Sequence, residues 1–77
     1  MRELPDDDSW MLDDRRVIGA RIRAERKRQR LSQNQLILAA RIDRVTIWRV
    51  ETGRDTSLST LQRIAHVLDV PLSDLVQ

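Results

Sequence analysis

Apolar positions along this chain recur in helical steps over most of its length. Ile18 and Ile22 stand four apart among Arg and Lys, which predicts a first helix from about Arg15 to Gln29 with a narrow apolar stripe. Asp13 and Asp14 sit just before and at its start, where negative charge suits a helix N-terminus. Ser32-Gln33-Asn34-Gln35 has the form of a capping box, so a second, short helix runs to about Ala40. Leu36, Ala39 and Ala40 give that helix a small inner face against which another helix can come close. Arg41-Ile42-Asp43 breaks the pattern, and Asp43 is a good N-cap for a third helix from Arg44 to Thr52. Gly53 is its natural C′ residue. Ser57 or Ser59 caps a fourth helix, whose Leu58, Leu61, Ile64, Ala65 and Leu68 keep three- and four-residue spacing. Pro71 suits the first turn of a fifth, Leu72 to Val76. No stretch alternates with period two. The expectation is an all-α, compact five-helix bundle over residues 14–77, preceded by an arm over residues 1–13.

The most informative stretch is 31–53, LSQNQLILAARIDRVTIWRVETG. A short capped helix, a tight turn and a second capped helix form a helix-turn-helix, here at about residues 32–52. A wheel at about 100° per residue turns Ile47, Val50 and Glu51 inward. It turns Arg44, Val45, Trp48, Arg49 and Thr52 outward. The inner residues dock the helix; the outer ones present two arginines to whatever lies outside.

Charge sharpens that picture. The 77 residues carry a net charge of only +2, yet the charge is divided by region. Residues 1–14 hold Arg2 against Glu3, Asp6, Asp7, Asp8, Asp13 and Asp14, a net −5. Residues 15–54 hold 12 bases against Glu25, Asp43 and Glu51, a net +9. Residues 55–77 hold Arg63 against three aspartates, a net −2. A basic block of this kind meets polyanions. There is no cysteine, hence no disulfide or thiolate metal site. No apolar run reaches the roughly 18 residues a membrane span needs. Together these features suggest a cytoplasmic protein without membrane contact.

From Ile18-Gly19, Ile22-Arg23, Leu31-Ser32-Gln33, Leu36, Ile42, Thr46-Ile47, Arg49-Val50-Glu51, Gly53, Ser57-Leu58, Thr60-Leu61, Ile64-Ala65, Leu68 and Leu72, the chain resembles the Xre/Cro-type helix-turn-helix domain of phage repressors. The resemblance covers about residues 16–76. It implies a lambda-repressor-like fold of bacterial or phage origin, with double-stranded DNA as partner. Arg44, Val45, Trp48 and Arg49 become the base-reading face. Arginine can bond guanine O6 and N7 together, and Val45 suits a thymine methyl. Ser32, Gln33, Asp43, Thr46, Thr52 and Arg54 become the phosphate-contact set, with Gln33 also able to brace Arg44. A helix N-terminus offers free N–H groups to such an anion. Arg26 and Glu51 pair structurally between the first and third helices. Leu72, Leu75 and Val76 become the homodimer contact. The resemblance also marks departures: arginine at 30 and 41 where the family usually has glycine, Thr56 for a proline, and a bulky Ile37. Positions 30 and 41 tend to need positive φ, which costs a non-glycine residue energy.

The implied function is a sequence-specific regulator, by default a repressor, that binds a palindromic operator as a homodimer. A restriction–modification controller is one form of it. The rival is an antitoxin that binds a toxin through the Trp10 arm as well as its own promoter. Trp10-Met11-Leu12 reads as a staple folded back on the first helix, or as that partner-binding arm. His66 reads as an ordinary surface residue. No nucleophile–base pair, Gly-rich phosphate loop or metal-ligand set is present, so neither an enzyme nor a cofactor is expected. The charge division further suggests that the acidic arm and tail project away from DNA.

Overall fold

Five α-helices follow one another in the computed structural model, which describes residues 1–77: α1 (Ser9–Arg28), α2 (Gln33–Ala40), α3 (Arg44–Glu51), α4 (Leu58–Leu68) and α5 (Leu72–Val76). Four of the five begin where the sequence places them. At α2 the capping box is complete. Ser32 Oγ accepts from Gln35 N at 3.1 Å, and Ser32 N donates to Gln35 Oε1 at 2.7 Å. Asp43 caps α3 by accepting from Thr46 N at 2.6 Å. Ser57, not Ser59, caps α4, accepting from Thr60 N at 3.1 Å. Pro71 takes the N-cap of α5.

The exception is α1, which begins at Ser9 and not at Arg15. Nothing in residues 9–14 opposes a helix. The Asp7 carboxylate accepts from Ser9 N at 3.0 Å and from Ser9 Oγ at 2.7 Å, serving the start of the helix. Asp13 and Asp14 therefore lie inside α1. The helix runs through residues 13 and 14 without a break, and Trp10, Met11 and Leu12 belong to its opening turns and form no folded-back staple. Trp10 remains partly exposed, and Arg2, Glu3, Leu4 and Pro5 line a shallow hollow beside it.

Four helices end in the same way, each with a left-handed residue and a bond reaching back five residues. The pairs are Leu31 N to Arg26 O (2.9 Å), Ile42 N to Ile37 O (3.1 Å), Arg54 N to Arg49 O (2.7 Å) and Val70 N to Ala65 O (3.1 Å). Glycine fills the left-handed position only at Gly53; Arg30 (φ 60°), Arg41 (φ 57°) and Asp69 (φ 56°) fill the others. The arginines at 30 and 41 are thus forced into the conformation expected at those sites.

Every helix feeds one core: Ile22 from α1, Leu36 and Ala40 from α2, Ile47 and Val50 from α3, Ile64, Ala65 and Leu68 from α4, and Leu75 from α5. Fully burying a large aliphatic side chain contributes about 1.5–3 kcal/mol, so these few contacts carry most of the fold. Ala39 is not among them. It lies on the exposed flank of α2, on the wall of a groove shared with Arg41, Arg63 and His66. His66 is exposed. No helix is long and apolar enough to cross a membrane.

Candidate nucleic-acid interface

Helix α3 is held from behind. Ile47 and Val50 are buried, and α1 crosses close enough that Gly19 abuts the Val50 and Glu51 backbone. Beside that crossing, Arg26 Nε donates to Glu51 Oε2 at 2.8 Å and Arg26 Nη2 to Glu51 Oε1 at 3.1 Å. Arg26 Nη1 also donates to Leu31 O at 2.9 Å. The two side chains are 9% and 4% exposed, so this forked pair is a buried tie between α1 and α3. Gln33 Nε2 joins it, donating to Glu51 Oε1 at 3.2 Å, and so links α2 to the same carboxylate.

With its inner face fixed, α3 presents Arg44, Val45, Trp48 and Arg49 to solvent. Val45 is 63% exposed and Trp48 51%, values that nothing within the chain compensates. Arg54 sits over the Trp48 ring, its guanidinium carbon 5.7 Å from the centroid, a cation–π contact joining the α3–α4 loop to the exposed face. Arg44 Nη2 donates to Asn34 Oδ1 at 2.7 Å across the α2–α3 turn. The face combines cationic arginines with an exposed aliphatic and an exposed aromatic side chain.

Residues 17–76 match the model of a family described as a helix-turn-helix domain. The chain belongs to that family. Among solved structures, it is similar to the restriction-modification controller protein C.AhdI from Aeromonas hydrophila. The two are 33% identical with a TM-score of 0.78, and the match covers 82% of this chain and 97% of that one. No curated protein matches the chain. This helix-turn-helix protein is a DNA-binding regulator of the Xre/Cro type that its sequence resembles.

Within the helix-turn-helix protein, the residues expected at phosphate separate into two groups. Ser32 and Arg54 are exposed with donors to spare. Gln33 is not free: its amide is half-buried against Glu51, and Asn34 braces Arg44 in its place. Asp43 also has another task, the cap of α3. Hydrogen bonds from the Thr46 side chain and then its backbone hold its carboxyl below the ordinary carboxylate range, so it stays negative and would repel a phosphate. Thr46 is half-buried, and its backbone N–H donates to that cap at 2.6 Å. The Thr52 hydroxyl donates to Trp48 O at 2.7 Å, which commits its proton to its own helix. At the other end of the chain Leu75 is 2% exposed and belongs to the core, leaving half-buried Leu72 and exposed Val76 on the α5 surface.

Helix α1 meets the end of α3 at a definite place. A side chain on Gly53 would meet Arg16, and Arg15 Nε donates to Gly53 O at 3.1 Å. Arg15 and Arg16, about two turns into α1, therefore lie against the C-terminal end of α3. Arg44 and Val45 are at the opposite end, about 12 Å away at 1.5 Å per residue. Asn34 escaped sequence reasoning although it follows Gln33 directly. Its only signal was a polar side chain on the second position of a helix joined to the next by a three-residue turn.

Proposed function

We propose that the protein is a sequence-specific transcription regulator that reads double-stranded DNA as a homodimer on a palindromic operator. The observation that carries this reading is the face of α3, where Arg44, Val45, Trp48 and Arg49 are exposed on a helix whose other side is locked into the core. Arg44 and Arg49 read guanine, and Val45 reads a thymine methyl. Ser32 at the start of α2 and Arg54 after α3 hold phosphates on either side. One such domain makes few base contacts, and pairing doubles them. The pairing surface is Leu72 and Val76 of α5, which sets two α3 helices about 34 Å apart, one helical turn of DNA.

Similarity to a restriction–modification controller favours the same role here, control of neighbouring restriction and methyltransferase genes. No contact in the molecule favours the toxin-binding alternative over this one. A methyltransferase gene beside this one supports the controller role, and a toxin gene there supports the antitoxin.

Selection from a random duplex library, followed by a salt titration on the selected site, tests the reading. A two-fold symmetric site and a steep fall of log K with log salt are expected, because each neutralised phosphate releases counterion. Failure to select any site, or a flat salt dependence, would remove the nucleic-acid claim.

A further inference from the structure

Arg44 is exposed and ends a long flexible side chain, and a freely rotating guanidinium loses much of its reading power to entropy. It does not rotate freely here. Asn34, on the second residue of α2, accepts from Arg44 Nη2 at 2.7 Å across the turn. Asn34 is itself well placed to hold still. The capping box closes the turn just before it, and Leu36, two residues on, is fully buried. The bond uses one of the five guanidinium N–H groups, which leaves four, enough for a two-pronged contact with a guanine edge. It also fixes the amide orientation. With Oδ1 turned to Arg44, the Asn34 amino group has no hydrogen-bond partner within the chain, and the residue is exposed.

We propose that Asn34 is a specificity-positioning residue: it pre-orients Arg44 so that the guanidinium meets one guanine of each half-site already aligned. This rests on the DNA-reading role of α3 given above. The neighbouring glutamine cannot serve, because Gln33 is drawn inward to Glu51. The division of labour is specific to the pair: Gln33 ties α2 to the buried ion pair, and Asn34 ties α2 to the reading face.

The test compares wild type, Asn34→Ala, Asn34→Asp and Arg44→Ala on the selected operator and on each of its single-base-pair variants, at one salt concentration. Arg44→Ala should erase the preference at one base pair per half-site. Asn34→Ala should reduce discrimination at that same base pair by about three- to tenfold, within the range for the net contribution of one ordinary hydrogen bond. Preferences elsewhere should stay within about twofold of wild type. Asn34→Asp keeps the acceptor, so it should keep the discrimination while weakening binding to all sequences alike, since a carboxylate there repels phosphate. An equal loss on every sequence with Asn34→Ala would make Asn34 a phosphate contact and overturn the proposal. So would no loss, or a loss of discrimination by Asn34→Asp as large as that of Asn34→Ala. If Arg44→Ala leaves the base profile intact, the positioning role falls with Arg44 while DNA binding stands. If no operator is selected at all, it is the proposed function that fails.

Discussion

Replacing Gly19 by alanine sets two effects of opposite sign against each other. Within a helix interior alanine is favoured over glycine by about 0.8–1 kcal/mol, so propensity alone would stabilise α1. The site says otherwise. A Cβ at position 19 would collide with the Val50 carbonyl oxygen and stand 3.0 Å from the Glu51 oxygen and 3.1 Å from its carbonyl carbon. Optimal non-bonded separations begin at about 3.5 Å. All three atoms are backbone, on a helix anchored in the core by buried Ile47 and Val50, so no flexible side chain can step back. Overpacking of this kind costs about 1–3 kcal/mol, and rigid surroundings place this case toward the upper end. The net result should be a loss of about 1–2 kcal/mol. At about 4–8 °C per kcal/mol for a domain of this size, the melting temperature should fall by about 5–15 °C. Ala20→Gly, one residue on and exposed, is the control, and should lose about 1 kcal/mol from propensity alone. Both exchanges should therefore destabilise, although they are chemically opposite. Thermal melts followed by circular dichroism, with urea titration for the free energies, measure this directly. A Gly19→Ala protein that melts above wild type would show that α1 and α3 can part at little cost, and the account of how α3 is held would be wrong.

Glu51→Ala strands the buried Arg26 and should cost about 3–5 kcal/mol by urea titration. Arg26→Met with Glu51→Leu should recover most of that, and additive losses would show that the two do not act as a unit. Arg30→Gly should raise the melting temperature by a few degrees, because a left-handed non-glycine residue costs about 1–2 kcal/mol and glycine returns only part of it as chain entropy. A lower melting temperature would mean that the Arg30 side chain supports the α1–α2 join. The Glu25 carboxyl is lowered from 4.5 to about 2, first by the hydrogen bond from the Arg28 side chain and then by that from Gln29. A depressed folded-state value means stabilisation that is complete above the ordinary glutamate range and lost as pH falls toward 2. Glu25→Gln should accordingly flatten the dependence of melting temperature on pH between about 4.5 and 2, and an unchanged slope would contradict this. In a Trp10→Phe protein the only indole left is Trp48, so titration with operator should change the fluorescence; a constant signal would place Trp48 away from the duplex.

The division between what the sequence disclosed and what it withheld follows the range of the forces involved. Caps at Ser32, Asp43 and Ser57 arise from bonds within a few residues, and the pattern of residue types exposes them. The left-handed ends at Arg30 and Arg41 are equally local, but arginine carries no signal for them and only the family resemblance marks them. The start of α1 is local too, but two signals compete there. Asp13 and Asp14 look like first-turn charges, whereas the group serving the helix start is Asp7, and no residue between them breaks a helix. Leu75, expected at the dimer contact, is buried for a different reason. A five-residue helix spans little more than one turn, so its apolar residues do not define a face by spacing. The packing of α1 and α4 selects Leu75 for the core, with Arg21 Nη1 donating to its carbonyl at 3.5 Å. The interface shows the same limit at finer grain. Gln33 and Asn34 are adjacent polar residues at the start of one helix, about 100° apart around its axis. That angle sends one to a buried carboxylate and the other to the reading arginine. Asp43 completes the case. The same residue type suits a cap and was expected at phosphate, and here its carboxylate is engaged by the Thr46 N–H as the cap of α3.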